Sequence, residues 1–177
     1  MADSHEVEDP AVEDEEFEDP AIADDEFDRL FGIFADGVVG AAGGLVGTTL
    51  MTVVLVIGES FGVFSRASFA TVTSMVGLDG VFPEVAAGYV LFVLAGMFPW
   101  PLLFASLKDY LPGDRDPVHG FYFGTALWTG FVFAFYDGYT GLALAGYLLV
   151  TLVAHWVYGV GLGAVFEYLS TRPDTLV

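Results

Sequence analysis

The sequence predicts an all-α membrane protein: a four-transmembrane-helix bundle behind a disordered acidic N-terminal tail. Three observations lead there. Residues 1–30 hold fourteen of the 24 acidic residues and a single base, Arg29. Beyond Asp36 the chain is dominated by Gly, Ala, Val, Leu, Phe and Tyr, which lifts the mean hydropathy of all 177 residues to +0.63. Within that part, four apolar stretches approach or exceed the roughly 20 residues a helix needs to cross a bilayer.

The tail, residues 1–30, carries a ten-residue repeat, EDPAVEDEEF (8–17) followed by EDPAIADDEF (18–27). Carboxylates this dense, with one aliphatic and one Phe per unit, cannot bury enough apolar surface to fold alone. The plain reading is a solvated arm. The sharper one makes Phe17 and Phe27 points that dock on a basic partner. The membrane domain follows over residues 31–170, and 171–177 form a C-terminal tail. Its first span covers 37–57 and ends at Gly58-Glu59-Ser60. Residues 61–78 mix Phe, Val and Met with Ser, Thr and Arg66, and read as a short helix lying in the membrane interface. The second span covers 85–107. Phe-Pro-Trp-Pro at 98–101 kinks it, because Pro99 and Pro101 remove backbone donors. KDYLPGDRDPV (108–118) is a polar turn. The third span, 119–136, is short and rich in aromatics. DGYTG (137–141) makes it an antiparallel neighbour of the fourth, 142–168, which is long enough to tilt.

With four spans, Arg29, Lys108, Arg115 and Arg172 fall on one side and Arg66 alone on the other. The positive-inside bias then puts this multi-pass chain in the cell membrane with both termini cytoplasmic. A net charge of -19 excludes nucleic acid as a partner, since phosphate contacts need Lys and Arg. The absence of Cys excludes disulfides, thiolate metal sites and cysteine nucleophiles.

Internal likeness suggests two duplicated helical hairpins. AGYVL (87–91) returns as AGYLL (145–149), and GTTLMT (47–52) as GTALWT (124–129). In order, these matches fit two halves related by an axis along the membrane normal, with an insertion near 59–82 in the first. For packing, Gly40/Gly44 and Gly43/Gly47 place small residues on one face of the first span, and Gly159/Gly163 do so in the fourth. Lipid supplies no hydrophobic drive between helices, so close backbone approach replaces it. The choice is between packing within the bundle and association of copies through the first span.

The one titratable group deep in a span is His155, with Thr151 four residues before it. Thr48/Thr52 and Thr125/Thr129 lie at comparable depth, so these residues together read as a polar seam. An intramembrane ionisable residue marks a site for a proton, a quinone-like ligand or a substrate, although a neutral His bonded to a hydroxyl is also plain interhelical glue. His119 and His155 differ by about 10 Å in depth, counting 1.5 Å per residue, which argues against both ligating one haem. Asp109, Asp114, Asp116, His119 and Glu167 gather at one end as a carboxylate-rich loop. No catalytic motif, metal site or cofactor is expected.

LAGMFPWPLLFASLKDYLPG (94–113), GFYFGTALWTGFVF (120–133) and LVAHWVYGVGLGAVF (152–166) resemble a family of small uncharacterised haloarchaeal membrane proteins, a domain of unknown function. The likeness covers roughly residues 37–168. It implies a haloarchaeal cell membrane, four helices and little chemistry. Some relatives are labelled as similar to cytochrome c oxidase subunit I. That subunit needs histidine ligands for two haems and a copper, against two membrane histidines here, so the resemblance implies at most an accessory companion of a respiratory complex. The leading expectation is therefore a non-enzymatic accessory or assembly subunit of a membrane complex, with the lipid bilayer and either other subunits or further copies as partners. The alternative is a small transporter or channel using the Thr/His seam between the hairpins. A quinone- or haem-binding redox protein is a third.

Overall fold

Proline sets where the helices begin. The computed structural model describes the backbone of residues 20–170 and the side chains of residues 37–169, and these residues are helical with short connections. Helix α1 (Pro20–Ser60) opens on Pro20, α3 (Glu84–Met97) follows Pro83, α4 (Pro99–Leu107) opens on Pro99, and α5 (Asp116–Ala134) has Pro117 in its first turn. A fixed φ and a missing N–H cost nothing in a first turn, where the N–H has no intrahelical partner. Between α1 and α3 lie a 3-10 turn (Arg66–Phe69) and α2 (Ala70–Met75), and α6 (Gly141–Ser170) ends the described chain. Gly62 and Gly77 stop α1 and α2 at φ of +70° and +73°. At each stop two amide N–H groups reach back to carbonyls of the last turn, Val63 to Gly58 and Gly62 to Glu59 after α1, Leu78 to Thr73 and Gly77 to Ser74 after α2. A left-handed residue is needed there, and only glycine adopts it without strain.

The chain divides into two units, residues 1–33 and 34–177. In the first, the helix starts at Pro20, so residues 20–30, read above as part of an unfolded tail, are helical. Ala21, Ile22 and Ala23 after Pro20 are compatible with a helix. The first repeat, Phe17 included, and the C-terminal tail lie outside the described residues.

In the second unit, three stretches are long and apolar enough to cross a membrane: Gly37–Ser60, Glu84–Tyr110 and Gly141–Leu169. This is the profile of a membrane-embedded protein. Helix α5 has 19 residues but is less apolar than those three.

Glycines decide which helices touch. Gly120 and Gly124 of α5 lie against the backbone carbonyls of Gly159 and His155 of α6, and Gly163 lies against that of Asp116. The pairing runs antiparallel, and any Cβ on these glycines would overlap main-chain atoms of the partner. In α1 the two glycine pairs do not share a face as the sequence reading had them. Gly40 and Gly44 meet Pro101 and Gly96, while Gly43 and Gly47 meet Leu162 and Tyr158 of α6. Residues three apart diverge by about 60° around a helix, which lets α1 seat two neighbours at once. The glycine faces weighed above for pairing with another copy are thus occupied within the chain.

The duplicated-hairpin arrangement does not repeat in the packing at its best-matched positions. Gly47 and its counterpart Gly124 both close on α6. Hairpins related by a two-fold axis would send one to α6 and the other to α3 and α4.

Aromatic clusters fill both ends. At one end Phe104, Phe123 and Phe166 are buried together, with ring centroids 5.3 Å apart from Phe104 to each of the others. At the other, the segment between α1 and α3 turns inward. Phe64 and Phe69 are buried, Phe69 packing on Phe92 at 5.1 Å and Phe135 at 5.5 Å, and Phe64 stacking on Phe131 at 6.3 Å. Thr73 is also buried and donates to the Glu84 carbonyl at 2.6 Å. The segment read above as a short interfacial helix holds the short helix α2 and packs as a plug on the bundle, its main chain at Phe69 lying against Gly88 of α3.

Candidate functional site

Between the two aromatic ends lies a cavity of about 410 Å³. Its wall includes Thr48, Gly96 and His155, which sit at the middle of Gly37–Ser60, Glu84–Tyr110 and Gly141–Leu169 respectively. The cavity therefore lies halfway along the apolar helices. Most of its wall is apolar, with Met51, Phe92, Leu127 and Phe131 among the residues that form it. Trp100, Ala126, Thr129 and Gly130 line it and are exposed, which places the mouth between α4 and α5. An opening at that height faces the hydrocarbon of a bilayer rather than water.

The break between α3 and α4 shapes this wall. Phe98 departs from helical geometry at φ -117° and ψ -74°. Pro99 has no N–H to offer the Ala95 carbonyl, and Pro101 none for that of Met97. Gly96 lets α1 approach so closely that a Cβ there would overlap the Thr48 hydroxyl, and its carbonyl accepts from the Tyr158 hydroxyl at 2.9 Å. The break falls near the middle of Glu84–Tyr110.

His155 is buried in α6, with its Nδ1 2.7 Å from the Thr151 carbonyl. A carbonyl only accepts, so Nδ1 carries the proton and a neutral ring leaves Nε2 as an acceptor. Nε2 makes no hydrogen bond among the described residues. Phe131 stands edge-on to the imidazole at 4.6 Å. The Thr151 hydroxyl donates to the Tyr147 carbonyl at 2.7 Å and accepts from Trp128 Nε1 at 3.0 Å. Thr48 is buried, and its hydroxyl has no partner among the described residues. Buried hydroxyls are nearly always satisfied, so this one stands out.

The sequence-read residues separate into groups. Thr48, Thr129 and His155 line the cavity, and Thr151 supports the imidazole from behind. Thr52 does not join them: it donates to its own helix at the Thr48 carbonyl and accepts from Tyr89 at 3.3 Å. Thr125 donates to the Phe121 carbonyl and accepts from Trp156 Nε1 at 2.9 Å. The six residues thus form a cavity lining and two separate side contacts, not one continuous seam. Threonines in helices readily bond the carbonyl four residues back, which removes their hydroxyls from any shared network. Sequence reasoning missed Tyr158, Gly96 and Trp128. Tyr158 follows His155 by three residues and so shares its face, a signal that was there to read.

Two of the carboxylates at the end of the bundle, Asp116 and Glu167, are committed to ion pairs. Asp116 pairs with Lys108 at 2.9 Å, and its other oxygen lies 3.5 Å from His119 Nδ1. His119 Nε2 meets the Gly113 carbonyl at 3.0 Å. Arg115 pairs with Glu167 at 3.0 Å, and that hydrogen bond, with the carboxylate charge, raises its guanidinium pKa further above the usual arginine value. These contacts tie the connection before α5 to the end of α6.

A family model described as a family of unknown function (DUF6789) matches residues 34–177, and the chain belongs to that family. No curated protein and no solved structure matches the chain.

Proposed function

We propose that this member of a family of unknown function is a non-enzymatic membrane protein that holds a small apolar molecule at mid-membrane, as an accessory subunit of a larger membrane assembly. The observation that carries the reading is the cavity: it lies halfway along the apolar helices, opens toward the bilayer, and presents a buried imidazole and an unpartnered hydroxyl on otherwise apolar walls. Concave, mostly apolar pockets with a few placed polar groups are the usual form of a small-molecule site.

The reading includes four spans. Helix α5 is the least apolar, but its backbone lies against α6 from Asp116 to Gly124 through glycines, which supports its crossing alongside α6. Four crossings put the connections 61–83 and 135–140 on one side, and 108–115 with both termini on the other. Lys108 and Arg115 then mark the cytoplasmic side. Because the chain has no Cys, single cysteines report topology directly. In oriented vesicles, Asp137→Cys is expected to react with a membrane-impermeant maleimide from the outside and Asp114→Cys only after permeabilisation. The opposite pattern would reverse the orientation, and both residues reacting from the same side would remove the four-span topology.

The subunit reading is tested by purification in mild detergent at high salt, followed by mass spectrometry of co-eluting polypeptides and of extracted small molecules. Expected are stoichiometric partner subunits and an apolar compound lost in His155→Phe. A second reading, a small transporter, is favoured by one feature: α3 and α4 break where the cavity lies, and discontinuous helices at mid-membrane are a hallmark of transporter sites. Recovery of the chain without partner subunits, with solute flux in liposomes that His155→Ala abolishes, would decide for it.

A further inference from the structure

The cavity wall offers more hydrogen-bond acceptors than donors. The Tyr158 hydroxyl gives its proton to the Gly96 carbonyl, and the Thr129 hydroxyl gives its own to the Ala126 carbonyl at 2.7 Å. Each retains only oxygen lone pairs. His155 commits its proton to the Thr151 carbonyl and offers the Nε2 lone pair. Two cavity-lining side chains keep an uncommitted proton among the described residues: Thr48 through its buried hydroxyl, and Trp100 through its indole N–H at the mouth. Against those two donors stand four acceptors: His155 Nε2 and the hydroxyl oxygens of Tyr158, Thr129 and Thr48.

Charge is equally one-sided. No Lys, Arg, Asp or Glu lines the cavity, so nothing compensates an ionised ligand brought out of water. The volume matches about fourteen waters at 30 Å³ each, room for a ring-sized head but not for a whole lipid. Any longer chain on the molecule would leave through the mouth between α4 and α5.

Resting on the reading of this cavity as a binding site, we infer that its ligand is a neutral, ring-sized apolar molecule that brings its own hydrogen-bond donor: an alcohol, phenol or quinol, rather than the matching ketone, quinone or ether. A hydroxyl gives its proton to His155 Nε2 and takes one from Thr48. A carbonyl or ether can accept from Thr48 or Trp100 but leaves the imidazole lone pair unmet. A site built around such bonds rejects analogues that lack the group, because the protein's buried polar atoms are left unpaired.

The test uses the full chain in detergent micelles and two probes of nearly the same shape, 4-octylphenol and its methyl ether, 4-octylanisole. The phenol is neutral at pH 7, since phenols ionise near pH 10. Binding is read by calorimetry. The phenol is expected to bind about ten-fold or more tightly than the ether. In His155→Phe, which keeps a ring but removes the acceptor, phenol affinity is expected to fall to that of the ether while ether affinity holds. Should that variant fail to fold, Thr48→Val supplies the same comparison, with a smaller loss. Equal affinity for both probes in the unaltered protein would overturn the donor requirement and leave the apolar site standing. Binding of neither probe would remove the site itself, and tighter binding of the ether would reverse the inference.

Discussion

Gly159→Leu is expected to separate α5 from α6 and to abolish the folded membrane domain. A Cβ at Gly159 would overlap the Gly120 carbonyl and lie 3.1 Å from the Gly124 amide nitrogen. The obstacle is main chain, which cannot swing aside as a flexible side chain would, and a whole leucine must be accommodated. Overpacking of a closely fitted interior costs about 1–3 kcal/mol where side chains can shift, and more where they cannot. Lipid offers no hydrophobic drive to re-form the pair at a larger distance. The expected result is a loss of more than about 3 kcal/mol in reversible unfolding by a denaturing detergent. Gly37→Ala is the counterpart. Nothing lies within 4 Å of a Cβ there. It should be neutral or stabilise by up to about 1 kcal/mol, since glycine is a poorer helix former than alanine. Equal effects from the two substitutions would show that backbone contact between α5 and α6 contributes little.

Phe69→Ala has the second large effect, and it is local. The ring touches Phe64, Tyr89, Phe92 and Phe135, with centroids between 5.1 and 6.0 Å. Truncating a buried Phe costs about 3–5 kcal/mol in a protein core. This ring sits at an end of the bundle, on a segment whose alternative environment is water, so the transfer part of that cost applies. The plug between α1 and α3 should then open while the glycine-packed helices persist. Limited proteolysis in detergent is expected to cut between residues 61 and 82 in the variant and to spare the unaltered protein. Unchanged protease resistance would mean that the backbone contact at Gly88 and the Thr73–Glu84 bond hold the plug without the ring.

The long elements were legible because span length and apolarity are local quantities. The Phe-Pro-Trp-Pro run marked the break by the same local reasoning. The inward turn of Phe64 and Phe69 was not legible. An aromatic facing lipid headgroups and one facing Phe131 give identical letters, and only the folded chain distinguishes them. The glycine stripes showed where backbones come close but not whose, since own chain and second copy look the same in sequence. At the site, His155, Thr48 and Thr151 could be picked out as polar residues at mid-span. That Thr52 and Thr125 turn away, and that Gly96 and Tyr158 take part, depends on how α1, α3 and α6 are rotated about their axes. A cavity is a property of several distant segments at once, and no single segment encodes it.

The pairing of α5 with α6 bears on how the chain is made. During synthesis, α5 emerges before its partner and is less apolar than the three stretches long and apolar enough to cross a membrane. Its partition into lipid on its own is correspondingly weak. The close connection through residues 135–140 lets α6 arrive within a few seconds at ordinary elongation rates of about 5–20 residues per second. The two can then enter the bilayer as one hairpin, α6 supplying the hydrophobicity that α5 lacks. On the four-span reading proposed above, α6 is in this sense the insertion signal for α5.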